Sequence, residues 1–385
     1  MEKKPEFDDI RPYDDDEVVP VIDRLLQNSQ FREAVHGLFS SEKRIQIEQM
    51  MRTFNNRRDF QHLLIKEVVF DLIDKTGNGL TCKNLESISK NTATTYISNH
   101  RDIVLDAAIL SSLLTSNGYD TVEIAIGDNL LLTDWIKDLV RLNKSFIVKR
   151  SLSGRKILEN SKHLSDYIHY TIREKNQSVW IAQREGRAKD SNDRTQESVL
   201  KMLAMGGDKN FLKNLTELNL TPITFSYEYD PCDYLKAQEF QQKRDNPGFK
   251  KTKEDDLLHM KTGLFGTKGR IWLQFGRPIN PELMKLDGSL RKNELASLVA
   301  SMIDKEIFRN YHFYPINYIA YDRLWGKNYF SDKYTAEEVE NFEQYIQRQS
   351  DMIDLPDKDI PFLTEKLIEM YAYPVKNFLS NSDET

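Results

Sequence analysis

Cysteine is almost absent from this chain of 385 residues, which holds only Cys82 and Cys232. Two cysteines cannot build a disulfide framework, and the acidic first 16 residues contain no apolar core of a signal peptide. We therefore expect a cytoplasmic protein that folds without disulfide bonds.

Long apolar runs are missing too, since no stretch approaches the roughly 20 apolar residues that a membrane-crossing helix needs. There is also no excess of positive charge, because 54 Lys and Arg residues stand against 60 Asp and Glu residues, for a net charge of -6. This balance does not indicate general nucleic-acid binding. If the protein works on lipids, we expect it to contact the membrane from its surface.

Several catalytic and metal-binding signatures are missing as well. No Gly-x-Ser-x-Gly turn and no glycine-rich loop ending in Gly-Lys-Ser/Thr occurs, which disfavours a serine hydrolase and a nucleotide-binding enzyme. Asp74 to Gly79 resembles a calcium loop, but Leu85 stands where such a loop requires a Glu, so we interpret the segment as a turn. His163 and His169 would point about 120° apart on one predicted helix, so no metal site is predicted.

Composition and apolar spacing together predict the fold. With 39% hydrophobic residues the chain can bury a large core. Helical spacing dominates residues 1–78, short apolar runs alternate with helical segments in residues 79–285, and helical spacing returns in residues 286–385. We predict an α/β fold with a central mixed β-sheet flanked by helices. Helical extensions are expected at both ends, the C-terminal one packed on the α/β domain.

The elements of this fold can be assigned from the same patterns. The candidate strands are Thr94–Ile97, Thr121–Ile126, Ser145–Val148, Ser178–Ala182, Leu220–Tyr227 and Arg270–Phe275. The candidate helices between them are Asp106–Thr115, Leu130–Leu142, Gly154–Glu174 and Gln196–Met205. In the C-terminal extension the clearest helices are Leu290–Phe308 and Ala336–Met352, and the aromatic run Tyr311–Tyr318 between them favours either core packing or a membrane interface.

The segment Ser98–Asp106 carries the most informative residue, His100, just after a candidate strand and just before a candidate helix. A histidine held by a carboxylate is a natural general base at neutral pH, and both Asp102 and Asp106 are close in sequence. The same pattern is also typical of a simple helix cap. Open α/β sheets bind ligands where their strands end, which favours a functional site here.

Three further clusters follow candidate strands. Phe146–Lys156 holds four cations and two hydroxyls, a composition that suits either a bound phosphate or a solvated basic loop. Ile181–Lys189 places Gly186 between an acid and a base, and Thr221–Tyr227 is a strand opened by Pro222.

Taken in order, these clusters resemble the four sequence blocks of the glycerolipid acyltransferase family, and most closely its glycerol-3-phosphate branch. The resemblance covers residues 75 to 285, and its matching segments are His100-Arg101, Gly127–Leu130, Phe146–Ser151 with Gly154, Glu185–Arg187, Pro222–Tyr227 and Gly269–Ile279.

Two departures from the family pattern affect the residue assignments. Five residues rather than four separate His100 from Asp106, so Asp106 is the favoured partner and Asp102 the alternative. The family usually has one residue between the Gly and the Arg of its third block, whereas Gly186 and Arg187 are adjacent, so Lys189 or Arg184 is expected to compensate for a displaced Arg187.

The resemblance implies direct transfer of a fatty acyl group from a thioester, acyl-coenzyme A or acyl-acyl carrier protein, to the hydroxyl of a phosphorylated glycerol. Glycerol-3-phosphate is the favoured acceptor, and His100 would act as general base, oriented by Asp106 or Asp102. The residues implied to bind substrate are Arg101, Lys149, Arg150, Ser151, Arg155, Glu185, Gly186 and Arg187. No metal, organic cofactor or nucleic-acid partner is implied, and peripheral contact with the cytoplasmic membrane is expected.

Two alternatives stay open on the sequence alone. The acceptor hydroxyl could belong to a lysophospholipid or an amino-lipid. A non-catalytic lipid-binding homologue would keep the fold and lose the catalytic geometry, as the altered spacing after His100 would permit.

Overall fold

The structure, a computed structural model, describes residues 4–150, 152–207, 209–326 and 328–382. Its strands form one seven-stranded sheet, with β1 (Gly77–Lys83), β2 (Thr95–Ser98), β3 (Glu123–Gly127), β4 (Ser145–Val148), β5 (Val179–Ala182), β6 (Leu220–Tyr227) and β7 (Gly269–Phe275). Their order across the sheet is β1-β7-β6-β2-β5-β3-β4. Neighbouring strands are parallel except β6 and β7, which run antiparallel. The predicted mixed sheet is therefore confirmed.

Helices flank this sheet and form both ends of the chain. The N-terminal helices are α1 (Asp15–Gln27), α2 (Ser29–Leu38), α3 (Ser41–Met51), α4 (Arg57–Asp59) and α5 (Lys66–Thr76), with a π-helical stretch at Phe60–Ile65. The central helices are α6 (Leu105–Ser116), α7 (Asp134–Leu142), α8 (Arg155–Arg173), α9 (Glu197–Leu203), α10 (Phe211–Glu217), α11 (Asp233–Asp245) and α12 (Lys253–Phe265). The C-terminal helices are α13 (Asn280–Leu283), α14 (Lys292–Arg309), α15 (Pro315–Tyr321), α16 (Ala336–Met352) and α17 (Ile360–Ser382). Among the described residues, no helix combines the length and the apolar character needed to span a membrane.

The strand β1 was not predicted, because its glycine-rich start was interpreted as part of a turn. Helix α5 ends at Thr76, and β1 begins at Gly77 and pairs in parallel with β7. A Cβ atom added at Gly77 would lie 2.9 Å from the Gly269 carbonyl oxygen, so the close approach of the two backbones requires glycine there. Tertiary pairing at the sheet edge thus decides the conformation of a segment whose local composition favours a turn.

The central strands are buried on both faces of the sheet. Tyr96 on β2 belongs to the buried cluster that contains Leu110 of α6 on one face, and its neighbour Ile97 belongs to the cluster that contains Ile168 of α8 on the other. Every residue of β6 is buried. Strands covered on both faces read as continuous apolar runs, which made β2, β4, β5 and β6 predictable. β7 instead shows the alternation of a strand with one partly exposed face.

The aromatic run of the C-terminal extension packs inside the protein. Tyr311 and Tyr314 are buried, and the ring of His312 stacks on Trp272 of β7 with centroids 4.0 Å apart. Helices α15, α16 and α17 pack with α11 around a cluster that includes Tyr314 and Phe342. Of the two alternatives for this run, core packing is confirmed.

A buried carboxylate joins the C-terminal helices to α11. Asp233 Oδ2 accepts hydrogen bonds of 2.6 Å from the hydroxyls of both Tyr345 and Tyr371. Burial raises the pKa of Asp233 to about 7, although the two hydroxyls favour the charged form and oppose the shift.

This raised pKa predicts a pH-dependent stability. Since the unfolded-state pKa of an Asp is about 3.9, protonated Asp233 favours the folded state below that pH. The contribution is lost as the pH rises through the folded-state pKa of about 7. We expect the Tm to fall between about pH 4 and about pH 7, and Asp233→Asn to reduce that fall by a few degrees. It will not abolish the fall, because burial also raises the pKa of Asp304 to about 6. Thermal melts across this range check the prediction, and an equal pH dependence in the two proteins would contradict it.

Candidate active site

His100 follows β2, and Asp106 lies in the first turn of α6, so the two residues meet at a strand-to-helix connection. The His100 Nδ1 atom lies 2.8 Å from Asp106 Oδ2. The same oxygen accepts hydrogen bonds from the backbone amides of Arg101 (2.7 Å) and Asp102 (3.0 Å), and Oδ1 accepts one from the Tyr227 hydroxyl (3.0 Å). A carboxylate accepts the Nδ1–H hydrogen bond, which leaves Nε2 of the neutral ring able to take a proton.

Asp102, the alternative partner, stabilises the start of α6 instead. Its Oδ1 atom accepts hydrogen bonds from the amides of Val104 (2.9 Å) and Leu105 (2.8 Å), as a helix-capping side chain does. Burial, reinforced by the nearby charge of Asp106, raises the pKa of Asp102. The loop between β2 and α6 thus absorbs the extra residue in the spacing, and His100 still contacts Asp106.

The indole of Trp180, on β5, packs against the His100 ring. The ring centroids lie 5.5 Å apart at an interplanar angle of 68°, and the indole N–H donates a 3.0 Å hydrogen bond to Ser98 Oγ. This contact restricts the plane of the imidazole. Trp180 was not recognisable as part of the site, because an aromatic residue in a candidate strand indicates only burial. Tyr227 ends the matching segment Pro222–Tyr227, but the sequence assigned it no role.

A cavity of about 640 Å³ opens beside His100, where β2, β3, β4 and β5 end. Six cationic side chains line it: Arg150, Arg184, Arg187, Lys189, Arg194 and Lys251. Three acidic side chains line it as well: Glu185, Asp190 and Asp256. The excess of cations over acids favours an anionic ligand, and arginine forks match phosphate oxygens in particular.

Half of the residues that the resemblance implied for substrate binding line this cavity, and they are Arg150, Glu185, Gly186 and Arg187. Arg184 and Lys189, the expected substitutes for Arg187, line it too. Gly186 has a φ of +69°, a left-handed conformation that glycine adopts without strain. The chain turns sharply there, so the third block reaches the cavity although its spacing departs from the family pattern.

Three other predicted residues do not line the cavity. They pair with acids instead, Arg101 with Asp193 at 2.6 Å, Lys149 with Asp9 at 2.5 Å and Arg155 with Glu159 at 2.9 Å. The first pair is buried, and Arg155 is 90% exposed in its side chain. The structure therefore does not place these three side chains where a ligand of the cavity would touch them. Ser151 lies outside the described residues.

The cavity wall also contains residues that the sequence did not single out. Arg194 follows β5, Lys251 lies just before α12, and Asp256 lies in the first turn of α12. Lys251 Nζ lies 2.8 Å from Asp256 Oδ1, and Asn129 donates a 3.4 Å hydrogen bond to Asp256 Oδ2. The charged stretch around residue 251 is visible in the sequence, but nothing in its spacing reveals which part of the fold it covers.

Lys189 differs from Arg150, Arg184 and Arg187 because a buried acid compensates its charge. Its Nζ contacts Glu239, which also lies 2.9 Å from Lys243. Burial lowers the pKa of Lys189 to about 8, although Glu239 opposes the shift. Those three arginines are therefore better placed than Lys189 to attract an anion.

Comparison with known proteins agrees with this geometry. Residues 79–226 match the model of the Acyltransferase family. No curated protein matches the chain. A crystal structure of the 1-acyl-sn-glycerophosphate (LPA) acyltransferase PlsC from Thermotoga maritima is similar, with 12% sequence identity and a TM-score of 0.37 over 77% of this chain and 92% of that chain. A likeness of this size carries no argument about substrate.

The family match covers most of β1, all of the strands from β2 to β5 and most of β6. It includes His100, Asp106, Arg150 and the third block, so the matched range and the cavity coincide in large part. Residues 79–226 therefore form an acyltransferase domain, and we assign the protein to the O-acyltransferases on that domain.

Proposed function

We propose that the protein transfers a fatty acyl group from a thioester donor to a hydroxyl of glycerol-3-phosphate, in phospholipid biosynthesis. The observation that carries this proposal is the pairing of His100 with Asp106 at the edge of a cavity rich in arginine. The histidine supplies a base for a hydroxyl, and the arginines supply a site for a phosphate. A phosphorylated polyol carries both groups, a hydroxyl for the base and a phosphate for the arginines.

The proposed reaction uses Nε2, the ring nitrogen of His100 that does not face Asp106. His100 Nε2 takes the proton of the acceptor hydroxyl as its oxygen attacks the thioester carbonyl. The tetrahedral intermediate then collapses, the carbon–sulfur bond breaks, and the imidazolium returns the proton to the leaving thiolate. Asp106 stabilises the imidazolium through Nδ1, and no covalent acyl-enzyme forms. The scheme requires no metal and no organic cofactor.

The acceptor is proposed to bind through its phosphate to Arg150, Arg184 and Arg187, which all line the cavity. Glu185 is exposed there and is proposed to accept a hydrogen bond from the hydroxyl that is not acylated. Holding the acceptor at both ends brings its reacting hydroxyl into register with the base.

A thiol-release assay tests this proposal. Acyl-coenzyme A and acyl-acyl carrier protein are offered in turn as donors, with glycerol-3-phosphate, lysophosphatidate or glycerol as acceptor. We expect thiol release that depends on the acceptor and is fastest with glycerol-3-phosphate. Faster release with lysophosphatidate would reassign the acceptor, and release that ignores the acceptor would contradict acyl transfer.

We also propose that the protein works at the surface of the cytoplasmic membrane and touches it with the outer face of α12. Lys253, Leu257, Lys261 and Phe265 share that face at four-residue spacing, and Leu258 lies beside them. Leu257 is 52% and Leu258 46% exposed. The two leucines are proposed to enter the lipid interface, with Lys253 and Lys261 near anionic headgroups. The first turn of α12 also holds three acids, Glu254, Asp255 and Asp256, so the apolar contact is the main part of this proposal.

Vesicle co-sedimentation tests the membrane contact. We expect the protein to pellet with vesicles that contain phosphatidylglycerol and to be released by salt, because cations draw it to anionic lipid. Leu257→Glu with Leu258→Glu should lower the bound fraction severalfold. Met284→Glu is the matched control, since Met284 is 70% exposed on a different element. Equal binding of the double variant and the wild type would contradict the assignment of this face.

A further inference from the structure

His259 lies on the inner face of α12 and is the contact between that helix and the third block. It is buried, with 4% of its surface exposed, and its Nδ1 atom lies 3.0 Å from Arg187 Nη2. Because an arginine can only donate, Nδ1 is the acceptor, and the ring proton is on Nε2. Its backbone carbonyl accepts a 3.3 Å hydrogen bond from the Cys232 thiol, which fixes the helix locally.

Arg187 is held by this neutral group rather than by an acid. Among the described residues it forms no salt bridge within 4.0 Å of a carboxylate oxygen, although a buried guanidinium ordinarily has such a partner. Its Nη1 atom is buried without a hydrogen-bond partner, and the residue lines the cavity beside His100. Burial opposes the charge of Arg187, but Cys232, Asp230 and Asp102 together hold its pKa above the usual value.

The neutrality of His259 is enforced by its surroundings. Burial lowers its pKa to about 2, and the positive charges of Arg187, Lys251, Lys236 and Lys189 add to the shift. A neutral acceptor orients the guanidinium and leaves its full positive charge available to a ligand. A carboxylate in the same place would orient it and cancel that charge.

We propose that His259 is a positioning residue that holds Arg187 in the cavity wall, where its charge attracts the phosphate of the acceptor. The proposal rests on the function proposed above and names the residue that sets its preference for a phosphorylated acceptor. His259 acts only through Arg187, so its effect depends on the arginine and on the phosphate.

Binding and turnover together test this role in the full-length chain. Affinity for glycerol-3-phosphate is measured by calorimetry, and KM and kcat are measured by thiol release, in wild type, His259→Ala, His259→Asn, Arg187→Ala and the double alanine variant. We expect His259→Ala to weaken binding and raise KM about tenfold, with kcat changed less than about twofold, as for a lost hydrogen bond to a charged group. His259→Asn, whose amide oxygen replaces the acceptor, should restore most of the affinity. In the Arg187→Ala background, His259→Ala should change nothing further.

The outcomes separate this inference from the proposed function. Unchanged affinity in His259→Ala, or losses that add in the double variant, would overturn the positioning role while acyl transfer stands. The expected binding pattern without any acyl transfer would overturn the function and leave the role of His259 intact. Turnover of glycerol is the internal control, because an acceptor without phosphate should not respond to His259→Ala. If a thermal melt shows that His259→Ala is unfolded, His259→Leu fills the same volume without an acceptor and replaces it.

Discussion

His100→Ala is expected to lower kcat about 10³-fold, because the acceptor hydroxyl then loses the base that takes its proton. The change should lower the Tm by only a few degrees, because two backbone amides and the Tyr227 hydroxyl still donate hydrogen bonds to Asp106. KM for the acceptor should change little, because the arginines that attract the phosphate remain. Thiol-release kinetics and a thermal melt of the same preparation check these expectations.

His163→Ala is the matched control for that variant. His163 lies on α8, where its Nε2 atom is 3.0 Å from Asp9, and it does not line the cavity. We expect its kcat to stay within about twofold of wild type, as for other changes away from a reacting group. Wild-type turnover in His100→Ala would mean that another group takes the proton.

Asp106→Asn is expected to lower kcat by about 10³-fold as well, by a different route. The amide oxygen can take the position of Oδ2, where it accepts from His100 and two backbone amides, and Nδ2 can donate to the Tyr227 hydroxyl. The geometry therefore survives, but the negative charge that stabilises the imidazolium is lost. We expect the stability to fall by only about 1–2 kcal/mol, as hydrogen bonds to a charged group become neutral ones.

Asp102→Asn is the control that shows which of the two carboxylates, Asp102 or Asp106, supports His100. Asn caps helices as well as Asp does, and burial already raises the pKa of Asp102, so the neutral amide suits this position. We expect kcat within about threefold of wild type and an unchanged or higher Tm. Loss of activity in Asp102→Asn with activity retained in Asp106→Asn would mean that the pairing at His100 has been assigned to the wrong carboxylate.

The fold was predictable wherever burial leaves a mark on local sequence. β4 and β6 have their predicted bounds, because buried parallel or central strands are continuous apolar runs between turn signals. The strand β1 was not predictable, since it exists by pairing with a strand about 190 positions later and its own glycines favour a turn. Local sequence patterns do not predict a strand that forms only because a distant strand pairs with it.

The candidate site also has a part that local sequence predicts and a part that it does not. His100, Asp106 and the third block follow strands directly, so their place at the sheet edge follows from the order of the elements. Whether a basic side chain lines the cavity depends on partners far along the chain. Arg101 and Lys149 pair with Asp193 and Asp9 and do not line it. The sequence shows that a residue is basic. Whether its side chain is free to bind a ligand depends on whether an acid lies next to it in the folded protein.

The helix α12 is the clearest case of a contribution that only the folded structure reveals. His259 and Asp256 come from a segment between β6 and β7 that belongs to none of the sequence blocks. Nothing in its local pattern connects it with Arg187, which it meets across 72 positions of sequence. Long-range packing thus adds α12 to a cavity, whereas the part of the cavity formed by residues that follow the strands was predictable from the sequence.

The most direct test of the central claim is to identify the product itself. Acyl-coenzyme A or acyl-acyl carrier protein is incubated with glycerol-3-phosphate and the protein, and acylglycerol phosphate is quantified by mass spectrometry beside the released thiol. We expect one acylglycerol phosphate for each thiol released by the wild type, and almost none from His100→Ala. Release of free fatty acid without that product, or equal product from His100→Ala, would contradict acyl transfer with His100 as the base.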